Sequence, residues 1–261
     1  MTTHTELPPL QLRRVHAFMD RRLLVNFRMP LDAALEKLPD GFEPQPVKGY
    51  AMIGICLIRL THLRPFGTPP LVQLASENAA HRIACLYPDE NGNRKPGVYI
   101  LERHTDSVAN HLAGGRLFPG HHHKATFTTY ESPTIWKVGF WGTDGTKVQV
   151  IVRQATQVAD GSVFEDMDAA TCFFQQGTDG WSMRKQGEEL EGARIKCHNW
   201  NFKPLQIELA RSSMLDAIQN ETGCVLELDS AFLMEGVNHD CYNLGRKPLK
   251  QTPTDLQPAM A

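Results

Sequence analysis

Apolar residues fall along this chain in short blocks divided by proline, glycine and polar turns, which predicts many strands and few helices. Arg22 to Met29 (RLLVNFRM) predicts a strand. Pro30 and the run LDAALEKL predict a short amphipathic helix closed by Pro39-Asp40-Gly41. Gly49 to Leu63 is rich in β-branched and apolar residues but falls short of the ~20 residues that span a bilayer, so it predicts a buried strand. Arg64 to Pro70 is a loop. Val72 to Tyr87 and Gly97 to Arg103 flank a polar turn and predict a hairpin, followed by a helix over Asp106 to Leu112 that ends at Gly114-Gly115.

Beyond Gly120 the pattern predicts a meander: Lys124 to Glu131, Thr134 to Trp141, a turn at Thr143 to Thr146, and Lys147 to Ala155. Asp166 to Phe174 and SMLDAIQNETG from Ser213 predict helices, with Ala193 to Ala210 extended between them. Residues 1–10 read as a mobile leader and 251–261 as a mobile tail around one domain at 11–250. The expected class is therefore α+β and β-rich, with a few short helices.

Charge narrows the partners. Lys and Arg number 27 against 29 Asp and Glu, a net charge of -2, which supplies no field to draw the chain to phosphate backbones or anionic lipid. No nucleic acid and no membrane partner is expected. The polar start lacks the layout of a signal peptide, and the six cysteines form no C-x-x-C pair, so they read as reduced thiols of a cytoplasmic protein. G-x-S-x-G, G-x-x-x-x-G-K-[ST] and G-x-G-x-x-G are all missing, which removes the first support for a serine hydrolase, a P-loop NTPase or a dinucleotide-binding fold. The aromatics Phe127, Trp136, Phe140 and Trp141 have strand spacing and read as core.

Three segments in order, RRLLVNFRMPLDAALEKLPDGFEP, SENAAHRIACLYP with KPGVYI, and AGGRLFPGHHHKATF, resemble acetoacetate decarboxylase and its YqjF-like relatives. The resemblance runs from Arg22 to about Tyr130 and is nearest in texture to the YqjF-like branch. It implies an antiparallel, barrel- or cone-like sheet, a cavity for a small carboxylate and a tendency to form homo-oligomers, with no cofactor. In the decarboxylase two adjacent lysines follow Gly-Arg and a glycine turn, and the first forms a Schiff base with a 3-oxo acid. Laid on that pattern, His123 stands where the reactive lysine would be and Lys124 where its neighbour would be. Glu77 falls at the family's pocket glutamate and Arg28 near its substrate-binding arginine, with Arg116 and His122 as further candidates to hold the substrate.

The residues themselves keep alternatives open. A nucleophilic lysine must be neutral, which needs an apolar pocket or a nearby cation. In an extended segment Lys124 shares a face with His122 while His123 takes the other, so only one of His123 and Lys124 faces a given cavity. Imidazole cannot form a stable iminium but can move protons near neutral pH. Glu77 and Arg28 equally suit a structural ion pair. Eleven histidines invite a metal reading, yet no H-E-x-x-H layout occurs and no metal is expected. The leading expectation is a lyase acting on a small oxo acid. The alternative is a non-catalytic small-molecule binder of the same fold, and the third is a histidine-ligated metal protein.

Overall fold

The computed structural model describes residues 14–65, 75–107, 120–184 and 189–249. The expected leader and tail, most of the loop at 64–70, most of the helix at 106–112, and Arg116 lie outside them. Twelve strands follow in chain order: β1 (Arg14–Met29), β2 (Glu43–Pro44), β3 (Ala51–Pro65), β4 (Ser76–Pro88), β5 (Arg94–Thr105), β6 (His122–Glu131), β7 (Ile135–Gly142), β8 (Lys147–Gln154), β9 (Asp179–Met183), β10 (Glu189–Cys197), β11 (Lys203–Ser212) and β12 (Glu227–Pro248). The helices are α1 (Leu31–Leu35), α2 (Met167–Gln176) and α3 (Ser213–Thr222). Asp166 and Ser212 cap α2 and α3 by accepting hydrogen bonds from the amides of Ala169 and Leu215.

The strands form one sheet that closes twice. β5, β6, β7, β8, β11, β12, β1, β3 and β4 complete a nine-strand barrel through the β4–β5 pairing. β9 and β10 extend from β5 and return to β12, so β10, β9, β5, β4, β3, β1 and β12 complete a second ring. The wall formed by β12, β1, β3, β4 and β5 belongs to both. Pairing is antiparallel except where β5 meets β6 and β9, which run parallel to it.

A wall shared by two compartments must be two-faced, and strand alternation makes it so. On β1, Leu23 and Val25 enter the nine-strand barrel with Ile53, Ile55 and Leu57 of β3 and Val138, Phe140, Val150 and Val152 of the meander. Leu215 and Ile218 of α3 close that core. Leu24 points the other way and packs with Met52, Ala84, Phe232 and the α2 residues Ala170 and Phe174, closing one end of the second ring.

The sequence reading missed β9 and the 22-residue β12, and took 193–210 as one extended stretch where β10 and β11 are separate strands. Trp141, expected in the core, is exposed because Phe140 takes the inward face of β7. All six cysteines are free thiols. Among the described residues no helix is long and apolar enough to cross a membrane.

Candidate functional site

The second ring is not filled. It encloses a cavity of about 120 Å³, small beside the several hundred Å³ that hold drug-sized ligands. The even-numbered face of the shared wall supplies Arg22 from β1, Cys56 and Ile58 from β3, and Asn78 and Arg82 from β4. On β5 a bulge changes the parity: Arg82 pairs with Ile100 but His81 pairs with Glu102, so Leu101 is the extra residue. Val98 and Ile100 therefore face the cavity before the bulge and Arg103 after it. The remaining wall includes His122, His239 and Trp200.

Three guanidinium groups thus enter one small space. Among the described residues Arg22 meets sulfur, with Nε 3.3 Å from Cys56 Sγ and Nη1 4.0 Å from Met234 Sδ. Arg82 donates from Nη2 to Asn26 Oδ1 at 3.3 Å and lies over the Phe174 ring, while its buried Nε has no partner among the described residues. Arg103 donates to the Ser182 hydroxyl from Nε at 3.3 Å and Nη2 at 3.0 Å. Among the described residues lining the cavity there is neither a carboxylate nor a lysine. Glu191, whose field reaches Arg103, is held by Arg184 at 2.9 Å and Arg246 at 3.5 Å.

Burial pulls Arg82 and Arg103 down to about 10, which still leaves both charged at neutral pH. Burial likewise pushes His239 down to about 4, so its imidazole is neutral there and can accept or donate a proton. The buried His122 turns Nδ1 toward the Gly120 carbonyl oxygen at 3.3 Å.

Of the residues singled out in the sequence, His122 is the one that lines this cavity. Glu77 is one residue out of phase: it faces the nine-strand barrel, 2.6 Å from both Arg21 Nη2 and Arg59 Nε, in a cluster that also holds Glu131. Arg28 sits at the far end of β1, donating to Glu227 at 2.6 and 2.8 Å and to the Gly161 carbonyl at 2.9 Å. Neither reaches the cavity, and the expected pairing of Arg28 with Glu77 across facing strands does not form. Lys124 is exposed, and His123 turns from the cavity to meet Glu102, with Nε2 2.9 Å from Oε2. Arg116 lies outside the described residues. The sequence reading missed Arg22, Arg82, Arg103 and His239. Arg22 adjoins Arg21 and Asn78 adjoins Glu77 on the shared wall, and strand pairing across the two rings separates these neighbours.

No protein-family model matches the sequence, and a search of curated proteins finds no match. Solved structures do match. Acetoacetate decarboxylase from Legionella pneumophila superimposes with a TM-score of 0.57 at 12% identity, covering 93% of this chain and 91% of that one. An acetoacetate decarboxylase-like enzyme from Sphingomonas wittichii RW1 gives 0.54 at 12% identity, over 94% and 99%. The enduracididine biosynthesis enzyme MppR complexed with pyruvate gives 0.52 at 12% identity, over 94% and 93%. The chain therefore has the acetoacetate decarboxylase-like fold. Identity this low establishes the fold alone, and the reaction has to be argued from the site.

Proposed function

We propose that this protein binds a small oxo acid in the cavity of its second ring, with Arg22, Arg82 and Arg103 neutralising the carboxylate and His122 and His239 moving protons. The observation that carries this reading is the convergence of three guanidinium groups, that of Arg82 buried and those of Arg22 and Arg103 half-buried, on a space that no carboxylate lines among the described residues. An uncompensated buried cation costs several kcal/mol, so an anion entering the cavity restores a balance that the fold itself leaves open. Planar guanidinium forks suit a carboxylate, which they bind in bidentate fashion. That MppR is complexed with pyruvate in a related fold agrees with a ligand of this size and charge.

With no lysine among the described lining residues, the proposed chemistry is proton transfer at the carbon next to an oxo group, as in a lyase of the dehydratase or aldolase type, rather than an iminium route. His122 is the leading acid or base and His239 its partner. The departure from the decarboxylase's lysine pair supports placement near the YqjF-like branch, and six free thiols agree with a cytoplasmic location. The same missing lysine favours a second reading, in which the cavity binds its ligand without turnover.

The test is thermal denaturation with a panel of 2-oxo and 3-oxo mono- and dicarboxylates, followed by proton NMR of the stabilising acids in D₂O. A rise in melting temperature that Arg103→Gln abolishes supports binding. Protein-dependent deuterium exchange next to the oxo group, lost in His122→Gln, supports catalysis, and stabilisation without exchange selects the binding-only reading. An equal shift in wild type and Arg103→Gln, or none with any acid, overturns the proposal.

A further inference from the structure

The histidine run is only partly used by the cavity. His122 faces the cavity, and its two neighbours do not line it. β5 and β6 run parallel with Arg103 opposite His122 and His104 opposite His123, so one step earlier Glu102 stands beside His121. Residues two apart on a strand share a face. Glu102, His121 and His123 accordingly converge at the beginning of β6, on the opposite side of the sheet from Arg103 and His122.

One ligand atom from each of these three residues lies within 4.8 Å of the other two. His123 Nε2 is 2.9 Å from Glu102 Oε2, and the His121 and His123 rings meet edge to face with centroids 4.4 Å apart. All three side chains are half-buried, open enough for an ion to enter and held enough to keep their places. Behind them His123 stacks on the fully buried His104 at 5.4 Å, and His104 Nε2 is 3.0 Å from Asp144 Oδ2, which fixes the ring beneath. Zinc bonds imidazole nitrogen and carboxylate oxygen at about 2.1 Å, which sets tetrahedral ligand atoms about 3.4 Å apart.

We propose that Glu102, His121 and His123 bind one divalent first-row transition ion such as Zn²⁺, with a remaining position for water. Two neutral imidazoles and one carboxylate are the borderline donors that such ions prefer over Mg²⁺ or Ca²⁺. Among the described residues the β5–β6 pairing spans Arg103–Thr105 and His122–Lys124. An ion bound to Glu102 on one strand and to His121 and His123 on the other clips this junction and stabilises the fold. The inference is independent of the cavity reading, since Arg103→Gln keeps all three ligands.

The test is a Zn²⁺ titration of chelator-stripped full-length protein by calorimetry, with Co²⁺ as a spectroscopic probe and melting temperature as a second readout. Wild type is expected to bind one equivalent, to melt higher with Zn²⁺ than without, and to give Co²⁺ absorption of a low-coordinate site. Loss of an outer partner alone costs 10–100-fold in metal affinity, so His123→Ala and His121→Ala should each weaken binding at least about 100-fold. His198→Ala is the control, because His16 and His198 also face one carboxylate, Asp240, at 3.2 and 3.1 Å; this variant should bind as wild type does. Glu102→Gln covers the case in which a histidine variant fails to fold, and should also lose affinity. Binding well below one equivalent, or binding that survives His121→Ala, His123→Ala and Glu102→Gln, overturns the proposal.

Discussion

Arg21 and Arg22 adjoin in the chain and serve opposite compartments. Arg21 is 1% exposed and bonded to Glu77 and Glu131 in the nine-strand barrel, whereas Arg22 enters the cavity of the second ring, where its closest partners are sulfur atoms. Strand alternation across a wall with two interiors accounts for the difference.

The pair predicts opposite responses to the same substitution. Arg21→Gln leaves Glu77 with Arg59 alone, and breaking one side of a buried pair costs about 3 kcal/mol of unfolding free energy. Arg22→Gln removes a cation with no carboxylate partner among the described residues, so stability stays level or rises by about 1 kcal/mol while oxo acid binding falls. Urea denaturation of both variants, with and without a stabilising acid, measures the contrast, and equal destabilisation would contradict the two-compartment account.

Lys124 predicts a negative result. Exposed on the outer face of β6 and away from the cavity lining, it should form no borohydride-stable adduct with 2-oxo or 3-oxo acids. Lys124→Ala should keep the ligand-induced rise in melting temperature. Mass spectrometry after reduction decides the matter: an adduct lost in the variant would restore a Schiff-base mechanism.

Stability should fall in two stages on acidification. His239 has its pKa lowered to about 4 and His81 to about 3, both by burial first, against 6.5 in the open chain. Between those values the unfolded state binds more protons than the folded one, so stability rises with pH through this window and is level above it. His239 alone accounts for about 3 kcal/mol. Asp240 is depressed below the usual carboxylate range despite opposing burial, because Arg14, His198 and His16 hydrogen-bond its charged form; its contribution is lost below about pH 4. Urea midpoints from pH 3 to 8 should show both stages, and His239→Asn should flatten the upper one.

Close approach in the shared wall predicts a third kind of sensitivity. A Cβ on Gly54 would lie 2.5 Å from the Val25 carbonyl oxygen on the paired strand, where only backbone movement could relieve it. A Cβ on Gly145 meets nothing within 4 Å, although its φ of +90° disfavours a side chain. Gly145→Ala should cost about 1 kcal/mol, or about 2–4 °C in melting temperature, and Gly54→Ala several times as much. Comparable losses in the two variants would refute the steric account.

The β-rich class, α1 after Pro30, the helix at Ser213 and the three strands of the meander were legible because each rests on local patterning and turn chemistry. β9 was not, since DGWSM is five residues with no alternation of its own and becomes a strand by pairing with β5 and β10. The site was legible in part. The opposition of His122 and His123 follows from strand periodicity alone, while Glu77 and Asn78 are separated by which side of β4 holds the ligand, and Arg28 and Arg22, which share a face of β1, by which end of the strand does.

By itself the sequence determined the β-rich class, the locally patterned strands and helices with their turns, and the lack of phosphate-loop and dinucleotide motifs. The tertiary structure decided which face of each strand looks into the cavity. Two closed rings share one wall, so both faces of β1, β3 and β4 are buried and the usual contrast of apolar inside and polar outside disappears. The extra residue at Leu101 then reverses the parity of β5 and turns Arg103 inward. A period of two describes each strand, but only long-range pairing assigns its sides.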